Sequence, residues 1–168
     1  MATKQEWADA YLEQAYQDLD AARILTGKAP SVLCVLLQMV FEKAAKAALL
    51  RSGQITVTKV NSSHKAASTL IQILKRHRNY LEAIGPGSAF EWKDILPLVQ
   101  ELERANPQLA QQGPQLEYPW EDPQDGSIRW PARDLPVVQR LSDPHDTSGP
   151  RLVRFAGQLC NQINSLFG

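Results

Sequence analysis

The stretch VLCVLLQMVFEKAAKAALL, Val32 to Leu50, decides the fold. It is far longer than an ordinary β-strand and rich in Leu and Ala, which lose little on entering a helix. Gly53 supplies a stop, so the spacing predicts a helix from about Ser31 to Ser52. Its first half is apolar nearly all round, which places it at the centre of a helical protein. The apolar run from Val32 to Phe41 is too short to span a bilayer, and Gln38 interrupts it. The second half is amphipathic, with Glu42, Lys43 and Lys46 on a polar side and Ala44, Ala47, Ala48 and Leu50 facing inward.

The flanking sequence supplies partners for this helix. Thr3 and Glu6 have the spacing of a capping box, and Ala8, Leu12, Ala15, Leu19 and Ala22 form one apolar face before Gly27 and Pro30. Downstream, Gln54 to Asn61 reads as a loop or short strand. Ser62 or Ser63 can cap a third helix, whose face is Ala66, Ala67, Leu70, Ile73, Leu74 and Leu81. Gly85, Pro86 and Gly87 break the chain. A fourth helix is expected over Phe90 to Ala105, capped by Ser88 and Glu91, or starting near Asp94 because of Pro97. A final helix covers about Pro150 to Phe167. Most of the eleven prolines lie between Asn106 and Gly149, a stretch with little helical period, read as a long ordered arm. Residues 1–168 therefore read as one all-α domain, an antiparallel bundle of four to five helices with a long Pro-rich loop before the last.

Composition limits the function. Hydrophobic residues make up 43% and charged residues 21% of 168, a globular balance. Lys+Arg and Asp+Glu are 18 each, so any nucleic-acid contact must come from a local patch rather than the overall field. The polar start of the chain does not read as a signal peptide, and Cys34 and Cys160 lie in apolar surroundings. Both features suggest a cytoplasmic protein, with no membrane contact. The three histidines, His64, His77 and His145, show no ligand spacing, and there is no Cys-x-x-Cys, so no metal is expected. No cofactor is expected either: Gly85-Pro86-Gly87 lacks the later glycine and lysine of a phosphate cradle.

At the central helix the residues become more specific. Gln38, followed by Glu42-Lys43-Ala44 and Lys46-Ala47, resembles the core motif of the second helix of HEPN domains. Asp18-Leu19-Asp20-Ala21-Ala22 with Leu25 resembles the family's first helix. His64 matches the histidine that follows helix two, or, in another register, Asp94-Ile95 and Leu98-Val99 take that place. Arg129-Trp130-Pro131 is similar to the Arg-Tyr-Pro-like element before the last helix. The resemblance implies a dimer-forming helical bundle that works beside a nucleotidyltransferase, often in toxin–antitoxin or defence modules. Some members are metal-independent ribonucleases with an Arg, four to six residues, then a His.

Two candidate sites emerge. Glu42, Lys43 and Lys46, with His64 or Arg129, are candidates to bind a nucleotide or RNA phosphate; otherwise Glu42 and Lys46 form a helical ion pair on a solvated face. Arg140 and His145, four residues apart, carry the only ribonuclease-like spacing. There a histidine would move the proton and an arginine would stabilise phosphorane charge. Leu141, where a polar residue is expected, and Pro144, which places the motif in a loop, count against it. Lys75-Arg76-His77-Arg78 could touch phosphate but reads better as a solvated helix end. Trp92, Trp120 and Trp130 read as core and loop anchors before base-stacking platforms. The resulting reading is a non-catalytic binding module, homodimeric through the apolar face of helix one or the last helix. The alternatives are an endoribonuclease using Arg140 and His145, and a ligand-free structural protein.

Overall fold

The computed structural model describes residues 2–85 and 91–168. Among the described residues, five helices of ten or more residues form the bundle: α1 (Lys4–Leu25), α2 (Pro30–Arg51), α4 (Ala66–Arg76), α6 (Ile95–Arg104) and α10 (Ser148–Phe167). The shorter helices are α3 (Val57–Val60), α5 (Arg78–Ile84), α7 (Pro107–Ala110), α8 (Pro131–Asp134) and α9 (Pro136–Ser142). Two short strands, β1 (Trp120–Glu121) and β2 (Ile128–Arg129), pair antiparallel with Trp120 opposite Arg129. The expected all-α bundle is what the chain forms.

The central helix is central because its sequence leaves it no solvated stripe. α1, α4, α6, α9 and α10 all pack against α2, and α1 and α10 run antiparallel to it. Ala44, Ala45, Ala47 and Ala48 are fully buried. Their small side chains let neighbouring helices approach closely. The capping box at Thr3 is present: its Oγ1 accepts from the Glu6 backbone, and Glu6 accepts from the Thr3 N–H at 2.6 Å. Opposite charges set the antiparallel register of α1 on α2. Asp18 holds Lys43 and Asp9 holds Arg51, so positions advance along one helix as they retreat along the other.

One aromatic cluster joins α2 to α10. Phe155 lies 5.9 Å from Phe41 and 4.9 Å from Trp92, which sits in a 3-10 turn ahead of α6. Trp92 is a core residue, as expected, and Gly85 lies directly against its indole. Cys34 and Cys160 are free and buried, and burial pushes both thiols up to about 12.

Several local expectations need correction. Gln54 to Asn61 contains the helical turn α3, not a strand. The third helix begins at Ala66 without a side-chain cap; the Ser62 hydroxyl instead donates to the Lys59 carbonyl. That helix ends at Arg76, so Leu81 belongs to α5. At the break, His77 stacks on Tyr80, which meets Phe167 edge-on. Of the two readings for Pro97, the start near Asp94 is the one that forms: Asp94 is the N-cap of α6 and Pro97 falls in the first turn, where no backbone donor is needed, so the helix is not kinked there. The proposed Ser88 cap and Phe90 start lie outside the described residues.

The arm from 106 to 149 holds no element longer than seven residues before α10 begins, yet it is not simply loop. Pro107, Pro131 and Pro136 each open a short helix, the position where proline's fixed φ is pre-set and its missing N–H costs nothing. The apolar faces of α1 and α10, expected to pair two copies, are used inside the monomer: Leu12, Leu19, Leu152, Phe155 and Ile163 are all buried.

A Cβ on Gly85 would lie 2.5 Å from Trp92 Cζ2. Gly85→Ala should therefore lower unfolding free energy by roughly 1–3 kcal/mol in urea, because a buried indole must shift. A surface control such as Glu82→Ala should change it by less than about 0.5 kcal/mol.

Candidate functional site

The polar side of α2 is covered, not solvated. Lys46 is only 5% exposed, and its ammonium donates to Glu42 Oε1 at 2.7 Å. The other carboxylate oxygen accepts from Gln38 Nε2 at 2.9 Å and from Asn106 Nδ2 at 3.4 Å. Gln38, Glu42 and Lys46 thus form one i, i+4 line along α2, each tied to the next. Tyr11 of α1 closes the cluster, with Lys46 Nζ 5.6 Å from its ring centre and its hydroxyl donating to Asn61 Oδ1. Burial, and then the Glu42 charge, raise the Tyr11 pKa, so the phenol stays protonated as a donor.

Glu42 therefore gathers α1, α2, the link after α3 and the end of α6 around one carboxylate. His64 approaches it, with Nδ1 3.9 Å from Glu42 Oε1, too far for a hydrogen bond; that nitrogen is sealed from solvent without a partner. Asn106 serves two segments at once: Nδ2 reaches Glu42 while Oδ1 accepts from the Gln108 N–H and caps α7. Lys43 points to the other side of α2, where Asp18 takes it at 2.5 Å and Gln14 holds the second Asp18 oxygen.

Of the expected anion-binding residues, the structure brings Glu42, Lys46 and His64 together and sends Lys43 to α1. Arg129 is elsewhere. It lies on β2, where Asp122, Asp125 and Asp134 surround it at 3.3, 3.1 and 3.7 Å. The adjacent Trp130 borders Ser31, Val32 and Val35, at the opposite end of α2 from Lys46. Eleven residues of helix separate Val35 from Lys46, an axial distance of about 16 Å.

Arg140 and His145 do meet in one place. They line an open cleft of about 550 Å³ with Asp94, Asp143, Asp146 and Arg151, where α9 turns into α10. Arg140 closes α9, and Nε donates to Asp146 Oδ2 at 3.0 Å. Asp146 also accepts from the Ser148 N–H at 2.6 Å. Those Ser148 hydrogen bonds, and then Arg140, hold the Asp146 carboxyl below its ordinary 3.8, so it stays charged. Three carboxylates face this cleft, which lowers its attraction for a phosphate backbone. Among the described residues no cluster of His, Cys, Asp or Glu could hold a metal, and no helix is long and apolar enough to cross a membrane.

Tyr11, Asn61 and Asn106 escaped the sequence reading as site members. Asn106-Pro107 carries a helix-start signal, but nothing local says that its amide also reaches a carboxylate 64 positions earlier. No protein-family model matches the chain, and neither a curated protein nor a solved structure matches it.

Removing one partner of a buried ion pair leaves the other charge stranded, so Glu42→Ala should cost about 3 kcal/mol of stability. Lys75→Ala, at an exposed helix end, should cost less than about 0.5 kcal/mol; urea unfolding compares the two. Because the folded Asp146 pKa is depressed, its stabilisation is complete above the ordinary 3.8 and drains away as pH falls through the lowered value. Carboxyl-detected NMR titration should place Asp146 below 3.8, and Arg140→Ala should move it upward.

Proposed function

We propose that this chain is a HEPN-like binding module that performs no chemistry itself and acts through a second protein. One observation carries the reading: the cations the motif offers for a phosphate are already compensated by this chain's own carboxylates. Lys43 is held by Asp18, Lys46 by Glu42, Arg129 by three aspartates and Arg140 by Asp146. Stabilising phosphate charge needs preorganised positive charge aimed at the ligand, and compensated cations supply little of it. The Glu42 cluster is then a brace that holds helix geometry, and recognition falls to the exposed surface. The resemblance supplies the class of partner: a second copy of the chain or a nucleotidyltransferase in a defence or toxin–antitoxin setting.

A second reading is favoured by the shared cleft of Arg140 and His145. In it the chain is a metal-independent endoribonuclease, His145 moving the proton and Arg140 turning from Asp146 to the phosphate. The test of both is incubation of mixed single-stranded RNA in EDTA with wild type and an Arg140→Ala/His145→Ala double variant. The module reading expects wild type and variant to leave the RNA equally intact. Cleavage by wild type that the double variant loses would replace the module with the ribonuclease.

A further inference from the structure

The large apolar side chains most open to solvent among the described residues are Ile24, Val32, Tyr118, Ile128 and Trp130. Three of these five, Val32, Tyr118 and Trp130, line one open groove of about 430 Å³. It lies between the start of α2 and the residues flanking the hairpin, with Val35, Leu116 and Pro131 completing its wall. Scattered exposed hydrophobics need no explanation, but convergence on one groove does.

The groove is rigidly built. The Arg133 guanidinium lies 3.5 Å from the centre of the Trp130 ring. That guanidinium is itself fixed by Asp134 at 2.9 Å and by the Ile128 carbonyl at 3.0 Å. The Trp130 backbone N–H donates to Asp134 at 2.8 Å. Trp130 is therefore braced from one side while 40% of it stays exposed. Neither the Tyr118 hydroxyl nor Trp130 Nε1 donates to any described residue.

The rim is acidic. From Glu117 to Asp134 the chain carries Glu117, Glu121, Asp122, Asp125 and Asp134 against Arg129 and Arg133 alone. The two arginines are turned onto those aspartates, which leaves Glu117, in the groove wall, without a salt bridge among the described residues.

We propose that this groove binds an extended, proline-containing segment of a partner protein that carries Lys or Arg beside its prolines. The inference rests on the binding-module reading and names its ligand class. A polyproline II segment is pre-ordered and presents proline rings that pack on exposed Trp and Tyr faces. Its unpaired backbone carbonyls are acceptors for the Tyr118 hydroxyl and Trp130 Nε1. A flanking cation meets the Glu117 carboxylate, which sets orientation. A second copy of this chain is a poor occupant, because Pro107, Pro131 and Pro136 are folded into its own helices and Pro114, Pro119, Pro123 and Pro144, outside them, have no Lys or Arg within three positions.

The experiment titrates the isotope-labelled full chain with the synthetic peptide Arg-Ala-Leu-Pro-Pro-Leu-Pro, monitored by NMR. Saturable shifts are expected at the Val32 and Tyr118 amides and the Trp130 indole, with no shift at Glu42 or Lys46. Replacing the peptide's Arg by Glu should weaken binding at least about threefold, and Trp130→Ala about tenfold. Tyr118→Ser, at a side chain 59% exposed, repeats the test without touching the hairpin. Absence of shifts at those three residues at saturating peptide would overturn the proposal. So would a dimer of the chain that Tyr118→Ser dissociates, since a second copy would then occupy the groove. Either result leaves the module reading standing if RNA stays intact, whereas RNA cleavage defeats that reading whatever the peptide does.

Discussion

The structure depends on one helix being enclosed along all but its first turn. In α2 the apolar residues need neighbours all round, and α1, α4, α6, α9 and α10 supply them. Once that helix is enclosed, its charged residues are enclosed with it. Lys46 cannot reach bulk water, so it must find a carboxylate one turn away, and Glu42 must in turn use its remaining lone pairs on Gln38 and Asn106. Burial without such partners would cost several kcal/mol per ion. The polar cluster is thus a consequence of the helix's position.

That dependence explains how much of the fold was legible in the sequence. The period of Ala8 to Ala22, the run from Val32 to Leu50 and the spacing of Leu152 to Ile163 are long, strongly patterned signals, and they yield the bundle. The capping box at Thr3 and the burial of both cysteines were readable for the same reason: each depends on neighbours close in sequence or on bulk apolarity. The Glu42–Lys46 pair was readable too, as an i, i+4 pair. Its enclosure was not, because the residues that cover it, Tyr11, Asn61, His64 and Asn106, come from three segments far apart in sequence.

The prolines misled in an instructive way. Counted as breakers, they turn residues 106–149 into loop. Placed at the first position of a helix, the same residues start α7, α8 and α9. The difference lies in the few residues after each proline, which are able to close one or two turns, and those turns are too short to show a period. Arg129 illustrates the cost of motif reasoning across such a segment. It reads as a partner for Lys43 and Lys46, yet the hairpin turns it onto Asp122, Asp125 and Asp134 at the far end of α2. The same turn of the chain brings Tyr118 and Trp130 to Val32, a juxtaposition no linear spacing announces.

The central claim is that Glu42 and Lys46 form an internal brace. A double-mutant cycle tests it most directly, with Glu42→Leu and Lys46→Met made singly and together and unfolding measured in urea. The account predicts that each single change is costly while the double change recovers much of the loss, a coupling of at least about 1.5 kcal/mol. A coupling near zero, with both single variants as stable as wild type, would show a solvated surface pair and contradict it.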